Sequence, residues 1–146
     1  MLSVYGGKIT TYRRLAEHAM AKLAPYFPAM RADWTARAPL EGSNFGAATR
    51  EHARDEFFAR YPGLPQELLR GVFRRHGMRS WQVLGEARTP GDLGEDFGAG
   101  LTERELRYFV EREWARTAED VLWRRTKAGL HLDERRRARV AEFLGQ

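Results

Sequence analysis

The stretch TREHARDEFFARYPGLPQELLRGVFRRHG, Thr49–Gly77, contains two helices and the turn between them. Ala53, Phe57 and Tyr61 recur at four-residue steps, which places them on one helical face. Thr49 stands where a hydroxyl can cap the first free backbone N–H groups, and Pro62-Gly63 ends the run. Pro65 suits the first turn of a second helix, because the N–H it lacks has no intrahelical partner there. Leu68, Leu69, Val72 and Phe73 form the apolar face of that helix, and Gly77 closes it. Two amphipathic helices joined by a Pro-Gly turn predict helix-on-helix packing.

The pattern continues toward the C-terminus. Ser80 opens a short helix with Trp81, Val83 and Leu84 inward. Thr89–Gly100 carries four glycines and a proline, so it reads as a long structured loop rather than a helix. Thr102 and Glu105 have the spacing of a capping box, and Leu106, Phe109, Val110 and Trp114 follow on one buried face. Thr117 and Asp120 form a second cap-like pair ahead of Val121 and Leu122. The helix therefore either breaks near Arg116 or runs on as one rod, ending at Gly129. Asp133 caps a last helix with Val140, Phe143 and Leu144 on its apolar side. Each buried Phe or Leu stabilises by about 1.5–3 kcal/mol. The expected fold is all-α, a small helical bundle over residues 43–146.

Residues 1–42 read differently. Leu2–Tyr5 has the character of a strand fragment, which stops at Gly6-Gly7. Thr10 and Thr11 offer an N-cap, and Leu15, Ala16, Ala19, Met20 and Leu23 mark one helical face. Pro25 and Pro28 end that helix. The segment from Pro28 to Phe45 has no period and reads as a linker with local packing from Trp34. The expected division is a strand–turn–helix–linker segment over 1–42 and a helical domain over 43–146.

Composition narrows the function classes. A chain of 146 residues with 12% aromatics is one ordinary domain, alone or with a small appendage, and is not wholesale disordered. With no Cys, disulfide scaffolds, Cys-zinc sites, iron–sulfur clusters and thiol catalysis are excluded. No apolar run reaches the length of a membrane-spanning helix. The net charge of +5 is spread unevenly, with an acidic stretch over 92–120 between basic flanks, so no nucleic-acid partner is expected. His18, His52, His76 and His131 lie far apart without metal-ligand spacing, and no metal is expected. Neither G-x-S-x-G nor G-x-G-x-x-G is present. Asp92, Glu95 and Asp96 are expected to cap helix ends or pair with arginines. Glu113 with Arg124-Arg125-Thr126-Lys127 reads as a charged seam between helices, and Arg135–Arg139 as a solvated face.

One motif carries chemistry: Gly6-Gly7-Lys8-Ile9-Thr10-Thr11-Tyr12-Arg13. Glycines at a strand-to-helix turn let a ligand approach the backbone closely. The helix that follows aims its unpaired N–H groups and positive dipole end at the same place. Lys8 adds a full charge. The turn is not a P-loop, since Leu2 and Ile9 occupy positions that require Gly and Ser or Thr. On spacing alone, a capped turn that holds no ligand is the commoner outcome, and both readings stand at this point.

The string Tyr5–Glu17, with its Gly-Gly-Lys-x-Thr-Thr-Tyr-Arg core, resembles the end of the flavin domain of the FAD-dependent, aerobic respiratory glycerol-3-phosphate dehydrogenases. Asp92–Gly98 and Glu113–Lys127 are similar to strings of the same family's C-terminal helical cap. The resemblance implies oxidation of sn-glycerol 3-phosphate to dihydroxyacetone phosphate, with hydride passing to flavin and electrons to a membrane quinone. It implies that Gly6, Gly7, Ile9, Thr10 and Thr11 lie against the flavin, and that Lys8 points toward the substrate phosphate. The family's Gly-rich FAD fingerprint, other phosphate-binding arginines and proposed His base have no counterpart here. The chain is therefore expected to be a C-terminal fragment that by itself neither binds FAD nor turns over substrate. Its expected partners are the missing FAD and substrate domains, and self-association through the surface they leave bare. The full enzyme is expected at the cytoplasmic face of the membrane, peripherally. The alternative is a helical interaction module for a protein or membrane surface, with no chemistry of its own.

Overall fold

A computed structural model describes residues 1–145 and contains six α-helices and one small hairpin. The chain divides into two units, Met1–Leu40 and a second beginning at Glu41.

In the first unit, residues 1–8 adopt no regular structure and are exposed. The strand expected at Leu2–Tyr5 does not form, because a strand has no stability without a neighbour to pair with. A 3-10 turn, Ile9–Thr11, leads into α1 (Tyr12–Leu23). The expected hydroxyl cap is absent: the Thr11 side chain instead donates to the Lys8 carbonyl at 3.0 Å. The apolar face of α1 is real in sequence but uncovered here, with no buried residue in the helix and Leu15 and Met20 exposed. Trp34 is largely exposed, and the local packing expected of it is limited to one wall of a hollow shared with Ala16, Met20 and Met30.

The second unit holds the core. Helix α2 (Arg50–Arg60) starts where Thr49 accepts from the His52 N–H at 3.2 Å, and it buries Ala53 and Phe57. Helix α3 (Gln66–His76) buries Leu69, Val72 and Phe73 against it. Gly77 closes α3 with φ 54°, and a Cβ there would fall 2.1 Å from the Gly42 carbonyl oxygen, so only glycine fits. Helix α4 (Ser80–Leu84) adds Val83 and Leu84.

The loop expected over Thr89–Gly100 is more ordered than its composition suggests. Thr89 donates twice to Asp92, from its N–H at 2.8 Å and its hydroxyl at 3.0 Å, which fixes a 3-10 turn. Strands β1 (Asp96–Gly98) and β2 (Leu101–Thr102) then pair antiparallel, Asp96 opposite Thr102 and Gly98 opposite Leu101. Two of the three acidic residues do as expected: Asp92 caps and Glu95 pairs with Arg139 at 2.7 Å, whereas Asp96 accepts from the Gly98 N–H at 2.8 Å within the hairpin.

Helix α5 (Glu103–Glu113) follows, but Thr102 makes no side-chain cap bond. Glu105 turns inward instead, where Arg75 bonds it. Helix α5 breaks at Trp114, which takes a left-handed conformation (φ 56°, ψ 29°) and is 81% exposed, not buried as its spacing suggests. A non-glycine residue pays roughly 1–2 kcal/mol for that conformation. A π-helical segment, Asp120–Arg125, comes next. Asp120 accepts from the Arg116 and Thr117 N–H groups at 2.9 and 3.0 Å, and these bonds pull its pKa far below the usual carboxylate range.

The charged seam forms through one arginine, Arg125, which donates to the Glu113 carbonyl, while Arg124 bonds Asp120. Helix α6 (Glu134–Phe143) begins where Asp133 accepts from the Arg136 N–H at 2.8 Å. Its arginine run is not merely solvated: Arg139 holds Glu95, and Arg137 lies over the Trp123 ring. Asp133→Ala removes the cap and is expected to lower stability by about 1 kcal/mol, read as a shift of the urea midpoint at constant slope. An unchanged midpoint would show that α6 starts without it.

Candidate functional site

The six residues singled out from sequence are consecutive and lie in the first unit. Gly6 (φ 75°) and Gly7 (φ 147°) turn the chain in conformations that L side chains rarely adopt. Lys8 returns to extended backbone (φ −131°, ψ 133°). Its carbonyl accepts from the Thr11 N–H at 2.8 Å and from the Thr11 hydroxyl, which pins the turn to the start of the helix. Gly6, Gly7, Lys8, Ile9, Thr10 and Thr11 are all exposed.

This arrangement suits an electron-rich group. A Cβ on Gly6 would meet nothing within 4 Å, so bare backbone faces open space there. The twelve residues of α1 carry no acid in their first turn, which leaves the positive end of the helix dipole uncompensated. Lys8, Arg13 and Arg14 make the neighbourhood cationic. Glu17, the nearest acid on α1, is held by Arg13 and by the Thr35 hydroxyl, both at 2.6 Å. The Thr35 bond, with Arg13 behind it, keeps its carboxyl below the usual range. These residues fit the edge of a flat cofactor or a phosphate, and they contain neither a nucleophile with a base nor a metal cage.

The second unit contains a cluster that sequence reasoning missed. Glu105 is fully buried and receives Arg75 through two bonds, Nε to Oε1 and Nη2 to Oε2, both 2.7 Å. His76 Nε2 lies 2.7 Å from the same Oε1, and the Gly100 carbonyl accepts from Arg75 at 3.1 Å. The His76 ring packs edge-on to Tyr108 at 5.2 Å. Burial alone would raise the Glu105 pKa, but the bond from His76 and the charge and bonds of Arg75 outweigh it, so the pKa is lowered. No substrate reaches a group with no exposed surface, so the cluster is a tether between α3 and α5. The Thr102–Glu105 spacing hid it, because a capping box reads identically in sequence. Among the described residues no cluster of His, Asp and Glu is placed to hold a metal ion.

Comparisons with known proteins identify the family. The model of a family described as the C-terminal domain of alpha-glycerophosphate oxidase matches residues 34–145. The chain is 47% identical to the aerobic glycerol-3-phosphate dehydrogenase of Escherichia coli (strain K12), over 99% of this chain and 28% of that protein. It is 42% identical to the glycerol-3-phosphate dehydrogenase of Pseudomonas aeruginosa, over 99% of this chain and 28% of the relative. It is 45% identical to the D-erythritol 1-phosphate dehydrogenase of Brucella abortus, over 98% of this chain and 28% of the relative. The chain thus spans a little over a quarter of the length of the curated relatives it matches.

Proposed function

The chain belongs to the family of the C-terminal domain of alpha-glycerophosphate oxidase, and from that premise we propose that it is the C-terminal portion of a flavoenzyme that oxidises sn-glycerol 3-phosphate to dihydroxyacetone phosphate. The observation that carries this reading is the open Gly6-Gly7-Lys8 turn at the start of α1, with both glycines at positive φ and no acid in the first helical turn.

When bound, FAD supplies the acceptor for a hydride from the substrate's C2. Gly6 and Gly7, with no side chains, would let the ring approach the backbone, and Ile9, Thr10 and Thr11 would border it. The positive end of α1 would favour negative charge on a group held at that edge. Lys8 offers a compact point charge to the substrate phosphate. The names of the relatives favour that assignment: two act on glycerol 3-phosphate and one on D-erythritol 1-phosphate, so the phosphate is the constant part. The electrons pass to an acceptor outside this chain, a membrane quinone or oxygen, and with quinone the full enzyme would sit peripherally on the membrane's cytoplasmic face. Among the described residues no helix is long and apolar enough to cross a membrane.

In the full-length polypeptide, Lys8→Ala is expected to raise KM for glycerol 3-phosphate and to lower kcat/KM about ten- to hundred-fold. A hydrogen bond to a charged group is worth about 1.5–3 kcal/mol, and each 1.36 kcal/mol is tenfold in rate. Steady-state kinetics at saturating quinone analogue checks it, and an unchanged kcat/KM removes Lys8 from the site. The 146-residue chain purified alone is expected to be colourless and inactive; one flavin per chain would overturn the fragment reading.

A further inference from the structure

We infer that Trp114 is the anchor by which this domain docks onto the preceding part of its own polypeptide, an inference that rests on reading the chain as the C-terminal portion of a longer enzyme. Trp114 breaks two rules at once. Its backbone is left-handed (φ 56°), where glycine is the usual residue at the end of a helix. The residue is 81% exposed, so packing within this unit offsets little of the strain. From residue 41 onward, Trp114 and Leu130 are the large hydrophobic side chains left exposed among the described residues.

The surroundings hold this conformation from both sides. Before it, the Glu113 carbonyl accepts from Arg125 Nε at 3.1 Å and from Arg125 Nη2 as well. After it, Ala115 is fully buried and its N–H donates to the Phe109 carbonyl at 3.0 Å. The next two N–H groups bond Asp120. A strained residue fixed by its neighbours and presented to solvent marks a functional position. Tryptophan is also the residue type most enriched among the few that dominate binding interfaces. The next two residues in the chain, Ala115 and Arg116, line a hollow of about 350 Å³ of mixed character, with Val110, Phe143 and Leu144 on its apolar side and Arg107 and Glu111 on its charged side.

The occupant follows from length. The chain covers 28% of each of its curated relatives, and the family description places it at their C-terminal end. Most of the polypeptide therefore precedes it and is covalently tethered to it. Tethering through a short linker gives an effective concentration in the millimolar range, which a free partner or a second copy must exceed to compete.

Hydroxyl-radical footprinting with peptide mass spectrometry tests this on two proteins, the full-length enzyme and the 146-residue chain. The expected result is oxidation of Trp114 at least ten-fold slower in the full-length enzyme, independent of concentration. Equal rates overturn the proposal, and so does protection within the short chain that grows with its concentration, which would assign the face to a second copy. Trp114→Gly supplies a second, opposite-signed readout. In the short chain it relieves the left-handed strain and is expected to raise the thermal midpoint by roughly 2–6 °C. In the full-length enzyme it is expected to speed proteolysis between the domains, and Trp114→Phe to restore resistance. A lowered midpoint in the short chain would make Trp114 a structural residue and overturn the proposal. Glycerol 3-phosphate oxidation by the unmodified full-length enzyme tests the fragment reading separately: without that activity the reading itself fails, whereas activity with an unprotected Trp114 fails only the docking inference.

Discussion

Glu105→Ala is expected to cost about 3–5 kcal/mol of stability, the usual result of removing one partner of a buried ion pair. The carboxylate is fully buried and takes two bonds from Arg75 and one from His76. Arg75 is left with 14% of its side chain exposed, too little to rehydrate the guanidinium. Glu105→Gln keeps the volume but not the charge and is expected to lose nearly as much. The double variant Arg75→Met with Glu105→Met is expected to recover most of the loss, because well-packed apolar side chains replace buried pairs at little cost. Urea unfolding of the four proteins measures this. A single-variant loss below 1 kcal/mol would mean that Arg75 finds water.

The same cluster sets a pH dependence. The folded-state pKa of Glu105 lies below the ordinary carboxylate value, so the unfolded chain binds its proton more readily than the folded one. Its contribution is complete above the ordinary glutamate pKa of about 4.3 and is lost as the pH falls through the lowered folded value. The wild-type stability curve should therefore fall more steeply on acidification than that of the Arg75→Met, Glu105→Met protein.

Phe57→Ala is the second large effect, also about 3–5 kcal/mol. Phe57 has no exposed surface, and four aromatic rings surround it: Tyr61 at 5.1 Å, Trp81 at 5.0 Å, Phe73 at 5.6 Å and Phe58 at 6.2 Å. Truncation opens a cavity that those rigid rings cannot fill, and it deletes edge-to-face contacts worth more than area alone. Phe58→Ala, one position along and only partly buried, should cost less than half as much. Comparable losses at the two positions would show that the centre of the core lies elsewhere.

These two positions differ in how far the sequence foretells them. Phe57 is legible from the four-residue spacing of Ala53, Phe57 and Tyr61, all of which are buried. The same holds for Leu69, Val72 and Phe73 on α3, for Val83 and Leu84, and for the Asp133 cap. Glu105 is legible only as half of a capping box, and that reading is wrong. A local cap is worth about 1 kcal/mol, which two charge-assisted bonds and a histidine from α3 outweigh. Arg75 stands 30 residues away, so no local pattern points to it.

Periodicity and punctuation determined which segments are helical and most of the core of the second unit, because those depend on neighbours within one or two turns; they misplaced Trp114, the apolar face of α1 and the caps at Thr11 and Thr102. The Gly6–Thr11 motif was likewise visible as a string. Only the tertiary structure decided that Glu105 turns inward, that Thr89–Gly100 closes into a turn and a hairpin, and that Trp114 stands out in a left-handed cap while α1 remains uncovered. Each of those outcomes is a competition between a local preference and partners far along the chain, and sequence spacing carries no term for the distant side of that balance.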